Sequence, residues 1–199
     1  IRAYIIQGDS IDAVNFGLRI GDCQLKTNVN CEESLTISGA NVNFENTEIN
    51  CKNFNLSGGS LNLNGGKLNI NENLNQTGGT FKVGGGQAII IGNYSAGTST
   101  SYVNAFLNMT NENDYVYVGG DMLFNVRQTH TDLLTAGTLE IKGNFTQLTS
   151  SSRCNGYNFN CTGSHKVILS GTELQTIYFD DPYYSGFNIL ENKGTNKKD

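Results

Sequence analysis

A sequence repeat constrains the fold of this chain more than any other feature. Asn53-Phe54, Asn73-Leu74 and Asn93-Tyr94 place the same pair, an asparagine followed by a large apolar residue, at equal intervals along the chain. Small-Gly-small segments at 38–40, 57–59 and 77–79 keep step with these pairs. A fixed period of about 20 residues, carrying several short apolar pairs, predicts a solenoid of stacked coils.

Apolar-x-apolar pairs predict short strands that each turn one side inward. The pairs recur in triplets, with one triplet in each repeat, which predicts three strands per coil. They are Leu18-Ile20, Cys23-Leu25, Val29-Cys31; Leu35-Ile37, Val42-Phe44, Ile49-Cys51; Phe54-Leu56, Leu61-Leu63, Leu68-Ile70; and Leu74-Gln76, Phe81-Val83, Ile89-Ile91.

The competing architecture is an antiparallel meander, because Leu61 to Ile70 resembles a hairpin around Asn64-Gly65-Gly66. Hairpins would give similar turns throughout, whereas these corners match at every third position. The sequence therefore predicts an all-β fold, a right-handed parallel β-helix with three short strands and about 19–21 residues per coil. The handedness follows from the usual hand of parallel crossovers.

The repeat organises the chain as one β-solenoid domain over residues 1–199. An N-terminal edge at 1–17 precedes regular coils at 18–94, coils with longer inserted loops at 95–190, and a polar tail at 191–199. The insertions are expected at about 95–105, 125–135 and 149–158. The abrupt start and end suggest a segment of a longer chain.

Gly and Asn are expected at the corners, because both tolerate the positive φ of sharp turns. Asn53, Asn73 and Asn93 should therefore stack as a hydrogen-bonded corner ladder. Cys31 and Cys51, one repeat apart, should also stack, either as two free buried thiols, which the sequence favours, or as a strained disulfide. Cys154 and Cys161 flank a Gly/Asn loop and could close it as a disulfide.

Net charge argues against a nucleic-acid partner, and hydropathy argues against a membrane-spanning helix. The net charge of −5 and the isoelectric point near 5.0 argue against nucleic acid, which requires a basic face. No stretch approaches the roughly 18 apolar residues of a transmembrane helix.

The coils at 35–94 resemble the 19-residue-repeat shafts of filamentous haemagglutinin-like adhesins, within the bacterial secreted and surface β-helix proteins. Segments at 134–147, 163–172 and 175–179 are also similar to repeat units of large Gram-positive surface proteins. The resemblance implies an extracellular or cell-surface location and a structural or adhesive role. Its motifs encode a fold rather than a chemistry.

Catalytic and metal motifs are weak. Parallel β-helices include polysaccharide-cleaving enzymes, but the acidic pair Asp180-Asp181 has no His placed beside it, so no catalytic residue and no cofactor is predicted. Four residues with oxygen-bearing side chains could hold Ca²⁺ weakly: Asn111, Glu112, Asn113 and Asp114. No other metal site is expected.

An aromatic cluster near the C-terminus is the best candidate for a ligand site. Tyrosines beside acidic residues can stack on sugar rings, and they can equally cap the end of the stack. The candidate residues are Tyr178, Asp180, Asp181, Tyr183 and Tyr184. The sequence thus predicts a non-enzymatic structural or adhesive segment whose partners are other copies or flanking repeats end to end. The alternative is a polysaccharide- or glycan-binding module that uses the inserted loops and the tyrosines.

Overall fold

The chain folds into a parallel β-solenoid of about nine turns, with 56% of the residues in strands. A computed structural model describes residues 3–149 and 157–195. Strands pair in parallel along the whole stack, from β1 (Ala3–Ile6) with β3 (Asp22–Leu25) to β16 (Lys166–Leu169) with β18 (Ile189–Asn192). The antiparallel meander is therefore excluded.

The remaining strands and one short 3₁₀ helix follow the same coil path. They are β2 (Ser10–Leu18), β4 (Asn28–Phe44), β5 (Glu48–Asn62), β6 (Lys67–Ile70), β7 (Leu74–Gln76), β8 (Gly78–Lys82), β9 (Gln87–Ile90), β10 (Tyr94–Ala96), β11 (Asn104–Asn108), β12 (Tyr115–Val118), β13 (Met122–Phe124), β14 (Thr138–Ile141), β15 (Phe145–Gln147), the helix Tyr157–Phe159 and β17 (Ile177–Phe179).

These strands build three faces, so that each regular coil is a triangle. Face 1 contains β7, β10, β13, β15 and β17, face 2 contains β1, β3, β8 and β11, and face 3 contains β6, β9, β12, β14, β16 and β18. The long strands β4 and β5 bend through corners and contribute to all three faces, whereas β2 contributes to faces 3 and 1. Beyond β11, face 2 continues through isolated bridges such as Met109 with Leu134 and Leu134 with Cys161.

Alternate residues of each strand point into a continuous core. Leu61, Leu63, Leu68, Ile70, Phe81 and Val83 are fully buried, which confirms their predicted orientation. Register aligns Leu61 with Phe81, Leu68 with Ala88 and Ile70 with Ile90 of the next coil. The core is therefore a set of apolar columns that run along the axis.

The predicted orientation of Ile89 and Ile91 is wrong by one residue. Register aligns Ala88 with Leu68 and Ile90 with Ile70, so Ala88 and Ile90 are the buried residues. Ile89 is half-buried on the outer side and Ile91 is 56% exposed. A run of four apolar residues has no alternation of its own, so the hydrogen bonds to the coil below decide which side faces inward.

The first coil also differs from the predicted boundaries. Ile20 is 85% exposed and lies outside β2, whereas Phe16 and Leu18 align with Leu35 and Ile37 of the next coil. Strands β1 and β2 already pair with β3 and β4, so coiling begins by Ala3. The strand predicted at Leu18-Ile20 is wrong because it was assigned from apolar spacing alone. Pairing with the next coil ends the strand at Leu18.

The longest connections in the second half of the chain replace the regular strands of face 2 and the corner that precedes them. In the regular coils this corner is short and glycine-rich, as at Gly59, which has φ +73°. Later in the chain the residues between the face 1 strand and the next face 3 strand extend to 125–137 and 148–165. The described parts of these insertions therefore lie on one side of the molecule, as loops on a solenoid commonly do.

Candidate functional site

The inserted loops bring three tyrosine rings together on the surface, and we call this cluster the tyrosine platform. It consists of Tyr157, Tyr183 and Tyr184, which are 40%, 83% and 39% exposed. The ring centroids of Tyr157 and Tyr184 are 4.7 Å apart, and those of Tyr183 and Tyr184 are 4.5 Å apart. Exposed aromatic rings held at fixed angles provide apolar surface at a low entropic cost of ordering.

A buried polar residue, Asn158, holds the platform in place from below. Its Nδ2 donates to the carbonyl oxygens of Val126 (3.0 Å) and Leu148 (2.8 Å). Its Oδ1 accepts from Gln147 Nε2 (2.7 Å) and from Ser185 Oγ (3.2 Å). Ser185 follows Tyr184 and Asn158 follows Tyr157, so this network ties the two tyrosine loops to each other and to the core.

An aromatic layer of phenylalanines lies beneath this network. Phe145 is 4.8 Å from Phe159 and 5.0 Å from Phe187 between ring centroids, and Phe187 is 5.0 Å from Phe179. Apolar packing of this kind fixes the backbone that carries the exposed tyrosines. The platform thus rests on ordered structure.

The structure separates the residues predicted for this ligand patch. Tyr183 and Tyr184 belong to the platform, whereas Tyr178 lies on the outer side of face 1 in register with Thr146. Tyr157 was missed, although it precedes Tyr184 by close to one enlarged coil. The local density of aromatic residues in the sequence gave no reason to place Tyr157 beside Tyr183 and Tyr184.

The two acidic residues of the patch organise its loops. Asp180 accepts hydrogen bonds from the Thr149 hydroxyl, from the Thr149 N–H (3.0 Å) and from the Tyr178 hydroxyl (3.3 Å). The Thr149 hydrogen bonds hold the pKa of the Asp180 carboxyl below its usual range. Asp181 accepts from the N–H of Tyr183 (3.3 Å), which shapes the turn before the platform.

The corner asparagines form a side chain-to-backbone ladder between face 3 and face 1. Asn73 lies between the other two, because its N–H donates to Asn53 Oδ1 (3.2 Å) and its Oδ1 accepts the N–H of Asn93 (2.9 Å). The ladder continues through Asp121 and Asn144, whose N–H groups donate to the side-chain oxygen one coil below at 2.8 and 2.7 Å. These side chains satisfy corner N–H groups that no strand partner reaches.

The residues considered for Ca²⁺ direct their oxygens to different partners. Asp114 is 2% exposed and accepts from the N–H groups of Gly85 and Asn111, while Glu112 accepts from Ser164 Oγ. Asn111 Oδ1 accepts the N–H of Asn113 at 2.9 Å. Within residues 3–149 and 157–195, no group of three or more His, Cys, Asp or Glu side chains could hold a metal ion.

Both histidines lie inside the solenoid, and the described contacts of their rings do not include Asp180 or Asp181. His130 and His165 are fully buried, and burial lowers the pKa of each, to about 4 for His130. His130 Nε2 accepts the N–H of Leu107 at 3.0 Å, and His165 Nδ1 lies 2.8 Å from the carbonyl oxygen of Ala136. His130 thus contacts the backbone of β11, and His165 contacts the backbone of the segment 125–137.

The cysteines of the described coils are buried. Cys31 and Cys51 align directly in neighbouring strands, and burial raises the pKa of Cys51 to about 12. Cys161 is 6% exposed, and its predicted disulfide partner Cys154 lies outside the described residues. Buried thiols with raised pKa values act as small apolar residues.

The part of the chain that the structure describes contains no helix long and apolar enough to cross a membrane. Comparisons with protein-family models, curated proteins and solved structures gave no match. The structure thus shows the β-solenoid fold, and the resemblance to haemagglutinin-like shafts stays a prediction from the sequence repeat.

Proposed function

We propose that this chain is a non-enzymatic structural and adhesive segment of a microbial surface or filament protein, and that it acts outside the cell. The observation that carries the proposal is the uninterrupted parallel stack, with register maintained over about nine turns. Because strands stack about 4.8 Å apart, nine turns form a rod roughly 40 Å long. Repetition of such coils extends a rod by nearest-neighbour contacts alone.

The two end coils of the described chain support this role, because they expose side chains that are buried in the middle coils. Leu190 aligns with the buried Val167 but is 48% exposed, and Ile177 aligns with the buried Phe145 but is 38% exposed. At the other end Phe16 and Leu18 are partly buried. Further coils, from flanking repeats or from another copy, would cover these residues and pair with the open strand edges.

Sedimentation velocity and electron microscopy of the purified chain test the proposal. We expect end-to-end association that grows with concentration, because head-to-tail contacts do not close. Leu190→Asp should suppress the association by placing a charge in the end contact. Ile91→Asp is the matched control, because Ile91 is similarly exposed but lies in the middle of the stack. A wild-type chain that stays monomeric at high concentration would contradict the proposal.

The tyrosine platform supports a second role, the binding of a surface polysaccharide. Its three rings are exposed, close together and fixed by the Asn158 network. Glycan-array binding that is lost in Tyr184→Ala and retained in Tyr117→Ala would support it, because Tyr117 lies on face 3 outside the platform. Equal binding by both variants would remove the platform from consideration.

A further inference from the structure

A groove on face 2, lined by both polar and apolar side chains, lies apart from the tyrosine platform and from the inserted loops. It has a volume of about 450 Å³ and lies over β1, β3 and the ends of β4 and β5. Volumes of this size are typical of small-molecule sites. The side chains that line it include Asp22, Gln24, Asn41, Asn43, Ser60 and Asn62.

The repeat itself creates the polar lining of the groove. Register aligns Asp22 with Asn41 and then Ser60, which gives one row of outward side chains along the axis. The alternate positions give a second row, in which Gln24 aligns with Asn43 and then Asn62. Successive members of each row are about 4.8 Å apart, since they belong to neighbouring parallel strands.

Hydrogen bonds along the rows fix the orientation of every side chain in them except Gln24. Asn41 Nδ2 donates to Asp22 Oδ1 (2.9 Å), and Ser60 Oγ donates to Asn41 Oδ1 (3.0 Å). In the second row Asn62 Nδ2 donates to Asn43 Oδ1 (2.8 Å). Side chains that are already oriented lose less entropy when a ligand binds.

Some hydrogen-bonding groups of the groove remain available for a ligand. Among the described residues, no hydrogen bond uses the carboxamide of Gln24 or the Nδ2 of Asn43. A carboxamide offers both donors and an acceptor, which matches a hydroxyl group that donates and accepts. The lining thus favours a ligand that carries many hydroxyl groups.

Charge in the groove restricts the ligand further. Its lining contains one carboxylate, Asp22, and no Lys or Arg, so the groove has no partner for a phosphate, sulfate or uronate group. Ile5, which is 60% exposed, adds an apolar surface at one side. A neutral sugar combines hydroxyl groups with apolar C–H faces and meets both requirements.

We propose that face 2 binds a neutral, extended polysaccharide that lies along the solenoid axis, with Asn43 and Gln24 as its principal hydrogen-bonding residues. Carboxamides occupy the equivalent position in three successive coils, at Gln24, Asn43 and Asn62, before Lys82 follows in β8. The neutral row is therefore about 10 Å long and can meet two to three successive sugars. Binding by short oligosaccharides is weak because each site contributes few contacts, and it strengthens with chain length as more sites are engaged. This site is additional to the structural role, and either can fail alone.

Nuclear magnetic resonance of the ¹⁵N-labelled chain tests the proposal with neutral hexasaccharides of β-1,4-linked glucose, β-1,4-linked mannose and α-1,4-linked glucose, and with an oligogalacturonate. The side-chain amide signals of Gln24 and Asn43 should shift with at least one neutral sugar and not with the acidic one. Asn43→Ala should weaken that binding by about threefold to tenfold, the loss expected for one or two hydrogen bonds.

The matched control is Asn55→Ala on face 1. Like Asn43→Ala, it removes the acceptor of a hydrogen bond between side-chain amides of neighbouring coils, because Asn75 Nδ2 donates to Asn55 Oδ1 at 3.2 Å. Equal affinities for the two variants would overturn the proposal, as would binding lost in Tyr184→Ala but retained in Asn43→Ala. An absence of groove shifts with all three neutral sugars would also overturn it. Sedimentation of the same samples reports separately on end-to-end association.

Discussion

Individual side chains in this solenoid are stabilised mainly by the equivalent positions one coil away. Ile90 is aligned with Ile70 below and Val118 above, and all three are fully buried. Ile91 is its sequence neighbour, yet it lies on the outside at 56% exposure. Two adjacent isoleucines therefore have opposite energetic roles.

This contrast gives a prediction about Ile90 and Ile91. Ile90→Asp would bury an unpaired carboxylate and should reduce the free energy of unfolding by several kcal/mol. Ile91→Asp should change it by no more than about 0.5 kcal/mol, because an exposed substitution breaks no packing. Urea denaturation of both variants measures the difference. Comparable losses in the two variants would show that the inward side of β9 has been misassigned.

His130 makes stability depend on pH through its acceptor role. Its Nε2 accepts the Leu107 N–H while the ring packs against Phe124, with centroids 5.0 Å apart. The neutral ring is required for this bond, and burial lowers the pKa of His130 from 6.5 to about 4. Below pH 6.5 the unfolded chain binds the proton that the folded chain resists, so stability falls as pH decreases.

We therefore expect the free energy of unfolding to fall by roughly 2 kcal/mol between pH 7 and pH 5 through His130. His165, whose pKa is also lowered by burial, adds a contribution of the same sign. His130→Gln removes one titrating group, so it should be less stable at pH 7 and show a shallower pH dependence. Denaturation series at several pH values measure both slopes, and identical slopes would exclude His130 as the source.

The sequence predicted the interior well wherever apolar and polar residues alternate. Leu61-x-Leu63 and Phe81-x-Val83 specify their orientation locally, and the structure buries all four. Ala88 to Ile91 carries no alternation, so its orientation depends on hydrogen bonds to another coil. The tyrosine platform depends in the same way on contacts between residues one enlarged coil apart, and local pattern does not encode them.

Among the elements, the corner between face 1 and face 2 imposes the strictest demand on residue type. Gly59 has φ +73°, and a Cβ added there would lie 2.1 Å from the carbonyl oxygen of Ala40 in the coil below. The glycine is thus required by backbone conformation and by the close approach of two coils. The sequence predicted the corner correctly, although not its contact with Ala40.

A glycine substitution tests this corner. Gly59→Ala should lower the free energy of unfolding by about 1–3 kcal/mol, because both φ and the neighbouring carbonyl oppose a side chain. Gly17→Ala in β2 is the control, since its φ is not positive and an added Cβ would meet nothing within 4 Å. That control should be neutral or slightly stabilising. Thermal unfolding followed by circular dichroism compares the two, and equal melting temperatures would refute the assigned role of Gly59.

At the scale of the whole molecule, the stack has a middle and two ends. Each middle coil is covered on both sides, whereas the coil that contains β18 exposes Leu190 at 48%. In a solenoid, stability is a sum of coil and interface terms, so a coil that lacks one interface opens more readily. Local opening should therefore increase from the centre toward each end.

Hydrogen exchange measured by mass spectrometry tests this gradient and its link to assembly. In dilute solution, amides of β6 and β9 should be protected the most and amides of β18 much less, because local opening is cheapest where contacts are fewest. Raising the protein concentration should slow exchange in β18 if ends stack on one another, and should leave β9 unchanged. Leu190→Asp should abolish this dependence on concentration, whereas Ile91→Asp should preserve it. In dilute solution, β18 and β9 could instead be equally protected from exchange. That result would mean that the chain's own contacts already stabilise the end of the stack. The end-to-end stacking of the proposed rod would then lose its physical basis.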